Sequence, residues 1–212
     1  MGYFVVVEGL EGSGKSTALE TIKQCLEPVV SELVITREPG GTKLGEVVRT
    51  LLKTNFKDEV LDARAELLLF YAARVQLVEQ VIRPALNRGA WVLADRFELS
   101  THAYQGGGRG LDEAMIQQLS SFCLNGLQPD LTLFLDVSPK TGLNRAKARG
   151  SLDRIEQEHE DFFDAVHAAY HRQLKNRNNV VLIHAEEPIT EVQKQLTSVM
   201  RKFMEQCGES LN

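Results

Sequence analysis

The chain has little cysteine: three in 212 residues, at Cys25, Cys123 and Cys207. An odd, widely spaced set builds no disulfide framework and shows no metal-ligand spacing, so reduced thiols are expected. Positive charge is not in excess either. The 24 Lys and Arg stand against 29 Asp and Glu, a formal net charge of −5. Without a global basic field, no nucleic-acid partner is expected, and a small anionic ligand must be met by local Arg and Lys. No apolar run reaches the ~18 residues that cross a membrane. The N-terminus enters an apolar strand at once, without the charged region, apolar stretch and cleavage site of a signal peptide. A cytoplasmic chain with no membrane partner is the expectation. Internal repeats and low-complexity segments are also missing. A chain of 212 residues with ordinary composition is read as one domain, residues 1–212, able to bury a substantial core.

What is present starts with Gly9-Leu10-Glu11-Gly12-Ser13-Gly14-Lys15-Ser16. It follows the apolar run Phe4–Val7 and opens into a helix-compatible segment from Thr17. G-x-x-x-x-G-K-[ST] between a strand and a helix is a phosphate-binding loop. Its glycines let backbone N–H groups face phosphate oxygens, and the helix N-terminus adds donors and partial positive charge. Lys15 is expected to reach the β/γ-phosphates and the Ser16 hydroxyl to bind Mg²⁺. The chain is therefore read as binding a nucleoside triphosphate.

Five short apolar runs read as buried parallel strands: Tyr3–Glu8, Leu33–Thr36, Trp91–Ala94, Leu131–Asp136 and Val180–His184. They are rich in Val, Ile and Leu without alternation, as strands covered on both faces are. Between them, Ala63–Asn87, Leu111–Leu124 and Pro188–Met204 repeat apolar residues at helical spacing. Ser138 and Pro139 read as the N-cap and first turn of a helix over Lys140–Arg149. Strands alternating with helices define an α/β fold, a five-stranded parallel sheet flanked by helices.

Other segments carry chemistry in more than one reading. Asp95-Arg96 follows the third strand, where an Asp can hold Mg²⁺ and an Arg can clamp a phosphate; a surface ion pair fits equally. Arg37-Glu38-Pro39-Gly40-Gly41-Thr42 is either an ordinary strand-to-helix turn or a functional loop, with Arg49 in the helix beyond it. Pro39 after Glu38 is a candidate cis peptide. Phe70 and Arg74 share a helix face and can stack on and hydrogen-bond a base, or be a core ring beside a surface charge. Ser100, Thr101, Tyr104 and Gln105 form a polar cluster before Gly106–Gly110, a run that suits a closely approached loop or a flexible linker. Arg145, Lys147, Arg149 and Arg154 around Gly150 suit a lid over phosphates or a solvated helix end.

In their order along the chain, these segments resemble the bacterial thymidylate kinases, within the P-loop nucleoside monophosphate kinases. The matching stretches are Glu8–Thr17, Thr36–Thr42, Phe70–Val78, Asp95–Arg109, Pro129–Asp136 and Arg145–Ile155, spanning nearly the whole chain. The resemblance implies ATP binding by Gly9, Leu10, Glu11, Gly12, Ser13, Gly14, Lys15, Ser16 and Thr17, with Arg145 and Arg149 from a lid around 145–155. It implies that Glu11 contacts the acceptor sugar, that Phe70 stacks on thymine and that Arg74 donates to a thymine carbonyl. Ser100 falls at a base contact, Tyr104 against the 2′ side of the sugar and Gln105 near the base. Arg49 and Arg96 resemble the acceptor-phosphate clamp; Arg37, Pro39 and Thr101 join the substrate-binding set. Asp95 resembles the carboxylate near Mg²⁺, with Ser16 as the other metal residue. One subgroup has no arginine in the phosphate loop and supplies it from the lid. Leu10–Ser13 contain none, which makes Arg149 the expected transition-state residue, while Lys147 stands where an arginine also fits the pattern. The resemblance further implies a homodimer that packs helices together.

The implied reaction is transfer of the ATP γ-phosphoryl group to dTMP, giving dTDP and ADP, with Lys15, Mg²⁺, Arg96 and Arg149 neutralising charge and Glu11 and Asp95 completing the catalytic set. A regulatory GTPase is disfavoured because the chain contains no Asn-Lys-x-Asp motif. An assembly ATPase is the other rival, and a different nucleotide kinase the nearest alternative.

Overall fold

Phe4–Gly9 (β1) is buried at every position and forms the centre of the sheet. In the computed structural model, residues 1–150, 152–175 and 177–209 are described. Ser151, inside the expected lid segment, lies outside them. Lys15–Leu26 (α1) follows the phosphate loop and leads to Leu33–Arg37 (β2). Lys43–Lys53 (α2) and Ala63–Leu77 (α3) come next. A π-helical turn at Val78–Ile82 joins α3 to Arg83–Asn87 (α4), which precedes Trp91–Asp95 (β3). The long helix expected over Ala63–Asn87 is thus continuous in direction but widened at its middle. Pro84 explains this: it has no N–H to donate, and its ring crowds the carbonyl one turn back.

The second half runs through Glu98–Thr101 (α5), a π-helical segment at His102–Gly108, Glu113–Leu124 (α6), Leu131–Asp136 (β4), Pro139–Lys147 (α7), Glu160–Leu174 (α8), Val180–His184 (β5) and Ile189–Gln206 (α9). All strand pairs are parallel, in the order β2-β3-β1-β4-β5. Two apolar layers cover the sheet. Val5, Val7, Leu133 and Leu135 meet α1, α8 and α9, while Phe4, Val6, Val92 and Ala94 meet the α3–α4 helix. The edge strands β2 and β5 are only partly covered, unlike the inner three, and Ile35 is exposed. The expectation of cover on both faces therefore holds at the centre and fails at the edges.

Two local expectations are sharpened. Of the readings open for Gly106–Gly110, close approach holds: its first three residues continue the π-helical segment, which lies tight against α8. A Cβ on Gly107 would sit 2.4 Å from the Ala169 Cβ, and one on Gly108 2.4 Å from the Phe162 ring. Ser138 does occupy the N-cap of α7, but its hydroxyl caps no backbone N–H; it bonds Glu186 Oε1 at 2.6 Å and the Thr141 hydroxyl at 2.9 Å. The three cysteines are free. Among the described residues, no helix is long and apolar enough to cross a membrane.

Candidate active site

A cleft of about 530 Å³ opens at the carboxyl ends of β1, β2 and β3. This is where an open α/β sheet binds ligands, because loops diverge there and helix N-termini converge. Its walls bring together Glu11, Gly12, Gly14, Lys15, Ser16, Thr17, Pro39, Arg49, Phe70, Arg74, Asp95, Arg96, Ser100, Thr101, Tyr104, Gln105, Arg145 and Arg149. Gly9, Leu10 and Ser13 belong to the same loop but do not line the cleft; Leu10 and Ser13 are buried beneath it. Arg37 also stays outside: it is exposed and pairs with Glu46 at 3.0 Å.

The phosphate loop is held by its own atoms. Gly12, at φ 70°, lies so close to α7 that a Cβ would meet the Gly142 carbonyl oxygen at 2.0 Å. Only glycine fits there. Lys15 Nζ donates to the carbonyls of Gly9 at 3.0 Å and Leu10 at 2.7 Å. Burial, reinforced by the nearby Arg96, brings the Lys15 ammonium down to about 8.

Across from the loop stands Arg96, which has a left-handed backbone at φ 67°. A non-glycine residue there is held by its surroundings, and such residues concentrate at functional sites. Its Nη2 donates to Glu11 Oε1 at 2.7 Å and to the Tyr104 hydroxyl at 3.1 Å; its Nη1 donates to Ser100 Oγ at 3.2 Å. Tyr104 in turn donates to Glu11 Oε2 at 2.6 Å. Beneath this layer sits Glu8, fully buried. Glu8 accepts from Phe97 N, Ser100 N, Ser100 Oγ and the Tyr170 hydroxyl at 2.6–3.2 Å. Burial pushes its carboxyl up, against the pull of Arg96.

The Phe70 side of the cleft has its own buried frame. Phe70 packs with Val48, Leu52 and Ala73. Arg74, only 1% exposed, is no surface charge: its Nε donates to Glu38 Oε2 at 2.7 Å, Nη1 to Glu98 Oε2 at 2.5 Å and Nη2 to the Phe97 carbonyl at 3.2 Å. Glu38 precedes Pro39 through a cis peptide bond, the candidate that the sequence raised without deciding. Arg49 Nη1 donates to the Pro39 carbonyl at 2.9 Å. Burial pushes the Glu38 carboxyl up to about 7 although Arg74 is beside it, and the negative charges of Glu98 and Glu8 add to the rise. Gln105 donates to the buried Glu66 at 2.8 Å, which also takes Arg109 and Arg154.

The lid cations separate. Arg145 Nη1 donates to the Ala185 carbonyl at 2.9 Å, and Arg154 is tied to Glu66 and the Leu52 carbonyl. Arg149 lines the cleft, is largely exposed and bonds Glu156 at 3.3 Å. Lys147 is exposed and does not line the cleft.

Glu8, Glu38 and Glu98 lie inside the matching stretches without an assigned role, and Tyr170 lies outside them. Their parts depend on contacts between residues up to 162 positions apart, such as Tyr170 to Glu8. A cue to α8 was nonetheless present: Phe163, Val166 and Tyr170 recur at helical spacing and face the core.

A phosphate loop on a five-stranded parallel sheet, facing a second wall of arginines, carboxylates and an aromatic ring, defines a P-loop nucleotide-binding protein. The sequence profile described as thymidylate kinase matches residues 7–196. Two curated relatives, both named thymidylate kinase, come from Legionella pneumophila strains Corby and Paris. Each is 52% identical over 204 residues, covering 96% of both chains. The chain belongs to the thymidylate kinase family.

Proposed function

We propose that this chain transfers the γ-phosphoryl group of ATP to the phosphate of dTMP, giving dTDP and ADP. The observation that carries this is the Glu11–Arg96–Tyr104 cluster. It ties the phosphate loop directly to the opposite wall, so that one cleft serves donor and acceptor. ATP lies over Gly9–Thr17, with Lys15 leaving its loop carbonyls for the β/γ-phosphates and Arg145 at the lid side. dTMP lies against Phe70, which stacks on the base, with Arg74 as base donor. Glu38 and Glu98 fix Arg74 in orientation. Thr101 Oγ1 in this wall is buried without a partner among the described residues, a polar atom suited to a ligand. Ser100, Tyr104 and Gln105 close the sugar and base side, and Arg49 with Arg96 receives the acceptor phosphate.

Mg²⁺ fits the donor end of the cleft. Asp95 Oδ1 is buried with no hydrogen-bond partner among the described residues, and Ser16 is exposed at the start of α1: two hard oxygen donors beside the loop. Bound Mg²⁺ neutralises phosphate charge. The protein's own part is positioning and electrostatics, since the acceptor oxygen is already anionic at neutral pH and needs no base. Residues 1–212 act as one domain whose segment 145–155 is the lid. Closure brings Arg149, lightly held by Glu156, onto the charge developing in transfer and excludes water.

The active species is a homodimer. Leu44, Val47 and Leu51 on α2, Leu68 on α3, and Met115 and Phe122 on α6 are large exposed apolar side chains, with α2 and α6 each packed on α3, a surface suited to an isologous contact. Sedimentation velocity tests it; a monomer at micromolar concentration rejects it.

The reaction is tested by ADP release from ATP and Mg²⁺ with and without dTMP. Release must require dTMP and match dTDP one for one. Release independent of dTMP identifies an ATPase instead.

A further inference from the structure

Outside the cleft, three ligand-type side chains converge on one point. His167 and His171 lie four residues apart on one face of α8, and Asp136 ends β4 beneath them. Asp136 Oδ1 is 2.8 Å from His167 Nε2 and 3.1 Å from His171 Nε2, and the two Nε2 atoms are 3.2 Å apart. All three side chains are partly buried and none lines the cleft.

Proton counting makes the triangle unusual. The carboxylate oxygen only accepts. If both Nε2 atoms carry protons toward it, two N–H groups crowd each other at 3.2 Å; if one does, the other lone pair faces the carboxylate. A cation at the centre satisfies all three. With bonds of ~2.0–2.1 Å at tetrahedral angles, neighbouring ligand atoms around zinc lie about 3.3 Å apart. The three observed edges of 2.8, 3.1 and 3.2 Å fall within about half an ångström of that.

We propose that Asp136, His167 and His171 form a binding site for a divalent transition-metal ion, Zn²⁺ in chemical class, with water completing the shell. Two imidazole nitrogens select against Mg²⁺, which prefers oxygen. The site clips α8 to β4. That helix also carries Tyr170, whose ring packs on Phe134 and whose hydroxyl bonds Glu8 and Ser100 under the Arg96 cluster. The bound ion is structural: it stiffens the support of the cleft without touching the substrates.

The test uses the full chain, free of nucleotide, titrated with Co²⁺, which takes the same ligands and absorbs visible light. One equivalent is expected to give tetrahedral-type bands that Zn²⁺ displaces. His171→Ala, His167→Gln and Asp136→Asn are expected to weaken binding at least ten-fold and to keep dTMP-dependent activity with Mg²⁺ within a few-fold. Zn²⁺ is expected to raise the Tm of the wild type and not of the variants. Circular dichroism identifies any variant that fails to fold, and the remaining variants then decide. Absence of bands at micromolar protein, or bands equally strong in every folded variant, overturns the site; the latter places the ion on Asp95 and Ser16 or on the thiols.

Discussion

Glu11 Oε1 lies 2.7 Å from Arg96 Nη2, joining the phosphate loop to the end of β3 across the cleft. The two residues are 85 positions apart and have 12% and 16% of their side chains exposed. The contact holds the arginine in line with the loop before any substrate arrives. Glu11→Gln keeps the shape and removes the charge. A charge-assisted bond contributes about 1.5–3 kcal/mol, so kcat is expected to fall roughly 10–100-fold while the ATP Kd changes little. Steady-state kinetics with a separate ATP titration check this; an unchanged kcat shows that Arg96 needs no such partner.

In the proposed reaction the lid cation acts later. Arg149→Ala is expected to lower kcat by roughly 10³-fold or more, following the precedent for arginines supplied to phosphoryl transfer, with dTMP affinity nearly constant. Lys147→Ala, altering a side chain outside the cleft wall, is expected to have little effect. Reversed results in single-turnover assays move the role to Lys147.

Lys15 predicts how ATP binding responds to pH. Its ammonium is brought down to about 8 by burial and Arg96 in the free protein, and the phosphates of ATP raise it again. Binding therefore takes up a proton above pH 8. Affinity is full below that value and falls towards ten-fold per pH unit above it. Calorimetry from pH 7 to 9.5 measures the slope. Lys15→Arg, charged throughout, should flatten it; a flat wild-type profile contradicts the linkage.

The Arg74 cluster makes stability depend on pH. Glu38 is pushed up to about 7 from an ordinary 4.5, so its protonated form is favoured by folding. That contribution is complete below pH 4.5 and is lost as pH rises through 7. Urea unfolding at pH 5 and pH 8 should therefore show the wild type losing about 1–3 kcal/mol more than Glu38→Gln. Arg74→Ala strands two buried carboxylates and is expected to cost about 3–5 kcal/mol at pH 8.

Much of this was legible in the sequence because it is local. The phosphate loop, five apolar strands and the Asp95-Arg96 strand end are each set by neighbours in the chain. Arg74 shows the limit. Its spacing from Phe70 put it on the right helix face, but a four-residue spacing says nothing of Glu38 and Glu98, which arrive from other loops and bury it. Glu8 reads as the end of an apolar strand, and only the folded chain brings Ser100 and Tyr170 onto it. The glycines at 107 and 108 read as freedom or as close approach alike, and only the fold decides for close approach, because the helix that crowds them comes more than fifty residues later. Arg37 stands in the right loop, yet Glu46 one turn into α2 holds it outside the cleft.

The most direct test of the account is kcat/KM for ADP release from ATP and Mg²⁺ across dTMP, dUMP, dCMP, AMP and UMP. The Phe70 and Arg74 wall with Tyr104 beside it predicts dTMP first, and UMP and AMP far below. Highest activity on a purine or a ribonucleotide would contradict it.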